Sequence, residues 1–179
     1  MTNHSMTRNY LRQAATRLRG LVLYLQLEDW PTVVREAQEA VELCLKAALR
    51  FAAIEPARTH DVAEVLRRNV SRFPDWFSSK VPSLATISTV LAGQRGPAFY
   101  GDERLHLPPD ELFDRGDAER AKEQAEYVHA LCTRLLSEES VGECVPGGSG
   151  ADTAAIQAAG TGETDAPQRQ EFSQTSGSP

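Results

Sequence analysis

The stretch DWPTVVREAQEAVELCLKAALRF, residues 29–51, carries every helix signal at once. Val34, Ala37, Val41, Leu45, Ala48 and, just beyond it, Ala52 recur at helical spacing, while Arg35, Glu36, Glu39, Glu42, Lys46 and Arg50 fill the opposite arc. Asp29 is a good N-cap, Pro31 falls in the first turn where a missing N–H costs nothing, and Glu55-Pro56 ends the element. Arg35 with Glu39 and Glu42 with Lys46 are i,i+4 pairs that support the helix before it packs. The charged arc reads as a solvated face, and the apolar arc as the surface around which the rest of the chain closes.

Outward from this helix the same periodicity recurs. Residues 5–27 form a first helix with Leu11, Ala14, Ala15, Leu18, Leu21, Val22 and Leu25 on its apolar face, and the short break near Glu28 predicts an antiparallel helical hairpin. Downstream, ARTHDVAEVLRR offers Thr59 as N-cap and Asp61 in the first turn of a third helix. The stretch PDWFSSKVP, between Pro74 and Pro82, reads as a connector whose Trp76 and Phe77 cover the core edge. Leu84, Ile87, Val90 and Leu91 give a fourth helix ending near Gly93.

Residues 95–116, RGPAFYGDERLHLPPDELFDRG, are punctuated by glycines and prolines and read as a long ordered loop. Asp117 then caps a last helix with Ala118, Ala121, Ala125, Val128, Cys132 and Leu135 on one face. The fold class predicted is therefore all-α: an up-and-down bundle of four to five helices over residues 5–138. Residues 139–179, rich in Gly, Ser, Ala and Pro without period, read as a disordered tail.

Composition narrows the function classes. A chain of 179 residues with 41% apolar and 25% charged content is that of an ordinary globular protein. No apolar run is long enough to span a bilayer, and the arginine-bearing N-terminus lacks a secretory signal, so a cytoplasmic address is expected. The net charge of -6 argues against a general polyanion binder, and no DNA-specific signal is present. Arg8, Arg12, Arg17 and Arg19 spread around the first helix instead of lining one face. Cys44, Cys132 and Cys144 have neither disulfide nor zinc spacing and read as free thiols.

The helix REAQEAVELCLKAALRF, followed by THDVAEVL and then by PAFYGDE, prolines and DAERAKEQAEYV, resembles the HEPN family, the higher eukaryotes and prokaryotes nucleotide-binding domain, over roughly residues 8–136. The resemblance implies a helical bundle, often dimeric, commonly produced beside a small nucleotidyltransferase in toxin–antitoxin or defence pairs. In the family's ribonucleases an Arg stands a few residues ahead of a His. Here the corresponding positions before His60, His106 and His129 hold Ala53, Ile54 or Glu55; Phe99, Tyr100 or Gly101; and Lys122, Glu123 or Gln124. Lys122 lacks the planar guanidinium fork and lies among Glu119, Glu123 and Glu126.

No catalytic residue, metal or cofactor is therefore assigned from the sequence. The densest set of chemically able side chains is Arg95, Tyr100, Asp102, Glu103, Arg104 and His106, with His60 beside a helix start. Tyr100 suits base stacking and the arginines suit phosphate, so this set is the candidate ligand site for a nucleotide or RNA. The plainer alternative packs Phe99 and Tyr100 against the bundle and pairs Arg95 with Asp102 or Glu103. The leading expectation is a binding and assembly module acting as a homodimer or with a nucleotidyltransferase-like protein partner. Its rivals are a ribonuclease built on His106 or His129 with Arg95, Arg104 or Lys122, and a protein modified at Tyr100 by a partner enzyme.

Overall fold

Residues Trp30–Phe51 form a helix, α2, that the chain wraps on several sides. A computed structural model describes the backbone of residues 3–56 and 58–142 and the side chains of residues 5–56 and 58–138. Asp29 caps α2 as predicted, its carboxylate accepting from the Thr32 N–H at 3.1 Å. The buried surface is wider than the stripe read from the sequence. Val33, Ala40, Cys44, Ala47 and Leu49 are inside along with Val34, Ala37, Val41, Leu45 and Ala48. A helix flanked by several others needs an apolar surface broader than one stripe.

The helix α1, Asn3–Gln26, precedes α2 and packs along it. Only residues 27–29 intervene, with Glu28 in the left-handed region at φ 59. The short α3, Ala63–Arg68, follows. Here Thr59 is not the cap: its hydroxyl donates to the Asp61 carbonyl, while Asp61 Oδ1 accepts from the Ala63 N–H at 2.9 Å. Asp61 also accepts from Ser88 and Thr89, and Ser88 Oγ in turn accepts from the Val62 N–H, so this one carboxylate fastens the α3 start to the next long helix. The N-cap position itself is Val62, so Asp61 holds the start of α3 from one residue outside it, with a carboxylate that offers two oxygens and several lone pairs to do so.

The connector expected between Pro74 and Pro82 contains a turn of helix, α4, Asp75–Ser78. Phe77 is fully buried there, tilted against Phe73 with centroids 4.9 Å apart and edge-on to Trp76 at 5.6 Å. Trp76 donates to Glu138 at 2.8 Å beneath the Arg134 guanidinium, so the aromatic pair covers the core edge as predicted.

The long-loop expectation over 95–116 is corrected. The helix α5 runs Val81–Tyr100, straight through Gly93, Gly96 and Pro97. Pro97 removes one hydrogen bond to the carbonyl of exposed Gly93, and buried Ala98 anchors the final turn in the core. Gly101, at φ +76, ends the helix, its N–H returning to the Pro97 carbonyl at 2.9 Å. A tight turn over 102–107, closed by the Asp102–Leu107 bridge, leads to α6, Pro109–Leu112, and then α7, Arg115–Gly142. Only short pieces of the expected loop are irregular.

The helix α7 buries Ala118, Ala121, Ala125, Val128, Cys132 and Leu135, the face read from the sequence. It continues through residues 139–142, where the reading placed tail. The rest of that tail, with Cys144, lies outside the described residues. No helix among the described residues is long and apolar enough to cross a membrane.

Candidate functional site

The residues expected to form one site are divided by the structure between two places, with His106 in neither. The reason is the continuation of α5. Once residues 95–100 are helical, Arg95 and Tyr100 no longer share a direction set by a loop.

The first place is an open pocket of about 570 Å³ at the C-terminal end of α5, lined by Gly96, Pro97, Tyr100, Gly101, Asp102, Glu103, Arg104, Leu112 and Phe113. Asp102 organises it: Oδ1 accepts from the N–H groups of Arg104 and Leu105 at 2.9 and 3.1 Å, an Asx turn that the Asp102–Leu107 backbone pair closes. Gly101 is required there, because a Cβ would lie 2.2 Å from the Leu107 carbonyl oxygen. The packed-loop alternative is overturned. Phe99 and Tyr100 are 55% and 68% exposed, stacked edge-on to each other at 4.6 Å, with the Arg35 guanidinium over the Phe99 ring. His106 sits at φ 55 in the turn, exposed.

The second place is a smaller cavity of about 230 Å³ lined by Arg17, Glu39, Glu42, Leu43, His60 and Arg95. Arg95 pairs with Glu39 at 3.0 Å and donates to Gln38 at 2.9 Å, not to Asp102 or Glu103. Arg17 comes from α1 to the same carboxylate at 2.9 Å, and Arg35 approaches it at 3.8 Å. His60 Nδ1 stands 2.9 Å from Glu42 Oε2, which also accepts from Gln38, while Lys46 holds Oε1. The charged arc of α2 is therefore not a solvated face. Its carboxylates are half-buried and partnered: Glu36 with Arg17 of α1, Glu39 with both Arg17 and Arg95 of α5, and Glu42 with His60 and Lys46.

Burial raises the pKa of Glu39 and Glu42, but hydrogen bonds from Arg95 and Arg17 to the first and from Lys46, His60 and Gln38 to the second outweigh it, so both lie below the usual range. Asp61 is shifted down in the same way, its bonds from Ala63, Ser88 and Thr89 overcoming burial. Sequence reasoning passed over Arg17, Glu39 and Glu42. The available signal was the i, i+3 run Glu36, Glu39, Glu42 facing a helix that carries arginines and no acid.

The remaining candidates stand apart. Half-buried His129 hydrogen-bonds the backbone of Leu11, and burial keeps its pKa below the usual imidazole value. Lys122 pairs with Glu126 at 2.8 Å along α7. Cys44 and Cys132 are buried, with the Cys44 thiol pushed up to about 12, so neither is a ready nucleophile. Among the described residues no three His, Cys, Asp or Glu side chains are grouped to hold a metal.

A family model described as HEPN domain matches residues 7–135 of the chain. A crystal structure of TT1696 from Thermus thermophilus is similar at 27% identity and a TM-score of 0.59, over 73% of this chain and 98% of that one. No curated protein matches.

Proposed function

Starting from the fact that the chain belongs to the HEPN domain family over residues 7–135, we propose that it is a binding and assembly module that takes a nucleotide in the pocket at the end of α5. The observation that carries this reading is the lining of that pocket. An exposed Tyr100 ring beside the apolar side chains of Leu112 and Phe113 suits a base, Asp102 and Glu103 supply acceptors for its N–H groups, and Arg104 supplies a cation for a phosphate. A stacking ring at the surface also suits a nucleotide carried by RNA, since bases in single strands are open to aromatic faces.

Assembly is the second half of the proposal. Val22, Leu23 and Leu27 near the end of α1 are each more than half exposed, and α1 presents Arg8, Arg12 and Arg19 to solvent with no acidic residue of its own. Such a surface supports pairing with a second copy or with a nucleotidyltransferase-type protein in a toxin–antitoxin or defence pair.

Titration calorimetry with adenosine 5′-monophosphate tests the ligand half. The reading requires saturable binding that Tyr100→Ala weakens by about tenfold, the scale of one base–aromatic stack. Binding indifferent to Tyr100→Ala and to Arg104→Ala refutes it. For assembly, light scattering on the purified chain is expected to give about twice the 19.6 kDa protomer mass. A monomer that also ignores a co-expressed nucleotidyltransferase from the adjoining gene removes that half.

A further inference from the structure

The cavity between α1, α2 and α5 has features that an ion-pair clamp alone does not need. On the lining itself Arg17 and Arg95 meet Glu39 and Glu42, two cations against two carboxylates, so neither sign is in excess. Nor are the guanidinium forks used up. Arg95 spends Nη1 on both Gln38 and Glu39, while its Nε and Nη2 make no hydrogen bond among the described residues. Arg17 puts Nε and Nη2 on the single oxygen Glu39 Oε2, leaving Nη1 unspent among those residues. A helix-tying pair at its best is bidentate, two N–H groups on two oxygens, and neither arginine does this. His60 adds a third group: Glu42 holds Nδ1 at 2.9 Å, and Nε2 has no partner among the described residues. All three residues line the same opening.

We infer that this cavity is a second ligand site, separate from the nucleotide pocket, and that it takes a tetrahedral phosphate group between Arg17, Arg95 and His60. The phosphate oxygens accept from the unspent N–H groups of the two arginines, and His60 donates from Nε2 when protonated. Glu39 keeps the arginine forks oriented, as second partners do for ligand-binding side chains, and Glu42 does the same for the imidazole. A carboxylate ligand has only two oxygens in one plane. A phosphate presents oxygens in several directions to donors arriving from α1, α5 and the segment before α3.

The phosphate is either free or on a monoester. Calorimetry at constant ionic strength therefore uses inorganic phosphate in one arm and glycerol 3-phosphate, which carries no base to stack on Tyr100, in the other. Saturable one-to-one binding in either arm supports the site. Tighter binding of the ester identifies a monoester as the natural ligand, and equal affinity identifies the bare group. The paired replacement Glu39→Gln with Arg95→Gln removes one charge of each sign, so it costs the fold less than Glu39→Ala does while binding weakens by about tenfold or more. His60→Gln, at an exposed position, gives a smaller loss of about threefold. Arg104→Ala, which removes the cation that would hold a phosphate in the nucleotide pocket, leaves phosphate affinity unchanged, which separates the two sites. The proposal is overturned if neither probe binds beyond a chloride control, or if the paired replacement binds phosphate as the native chain does.

Discussion

The pocket at the end of α5 and the cavity between α1, α2 and α5 are built in opposite ways. The pocket comes from near-continuous chain, Gly96 to Arg104 with Leu112 and Phe113, and its ligand-facing Tyr100 and Arg104 stay exposed. The cavity comes from residues 17, 39, 42, 60 and 95, brought together by packing, and its charged members also fasten helices to each other. Groups of the first kind can be lost without cost to the fold, and groups of the second kind cannot. Substitution and acid should therefore separate the two regions.

The largest effect expected is at the one place where the pocket does depend on backbone geometry. Gly101→Ala drives a Cβ toward the Leu107 carbonyl at a φ of +76, so chemical denaturation should show a loss of about 2–3 kcal/mol. Nucleotide affinity falls with it. Next comes Glu39→Ala, which leaves half-buried Arg95 without its ion pair and Arg17 and Arg35 with Glu36 alone. A loss of about 2 kcal/mol is predicted, discounted from a fully buried pair for the solvent these side chains still see. A melting temperature unmoved by this change means the cavity is not fastening α1 and α5 to α2.

Acid gives a smaller effect with a definite sign. Glu39, Glu42 and Asp61 have pKa values depressed in the folded chain, so they stabilise it above the unfolded carboxylate value, about 4. That stability disappears as pH falls through the folded values. Equilibrium unfolding at a series of pH values should therefore show an acid decline that Glu39→Gln with Glu42→Gln makes shallower. The same decline in that variant places the acid sensitivity elsewhere. Smallest of all, Tyr100→Ala and Arg104→Ala should shift stability by no more than about 0.5 kcal/mol, as surface changes do. A large loss in either makes Tyr100 or Arg104 a structural residue.

This contrast also explains what the sequence disclosed. The helix at 29–51 was legible because its cap, its proline and its apolar spacing are all local, and the hairpin before it followed from a short break. The helix α5 was not. Its Gly93, Gly96 and Pro97 are breakers by local preference, overridden because Val81, Leu84, Ile87, Leu91 and Ala98 bury themselves against the bundle. The anchoring of the α3 start by Asp61 was hidden for the same reason, since Ser88 and Thr89 arrive from a distant helix. The turn pocket was half visible: Tyr100, Asp102, Glu103 and Arg104 are neighbours in sequence and remain so in space. Arg95 left that set and joined His60 through Gln38 and Glu42, a meeting that no spacing rule announces.

Nucleotide binding depends above all on the place where a base would stack. Amide chemical shifts recorded while adenosine 5′-monophosphate is added, with excess inorganic phosphate present throughout, locate that contact directly. The predicted result is saturable movement confined to Gly96–Leu105, Leu112 and Phe113, abolished in Tyr100→Ala. Movement centred away from those residues, or none at all, contradicts it.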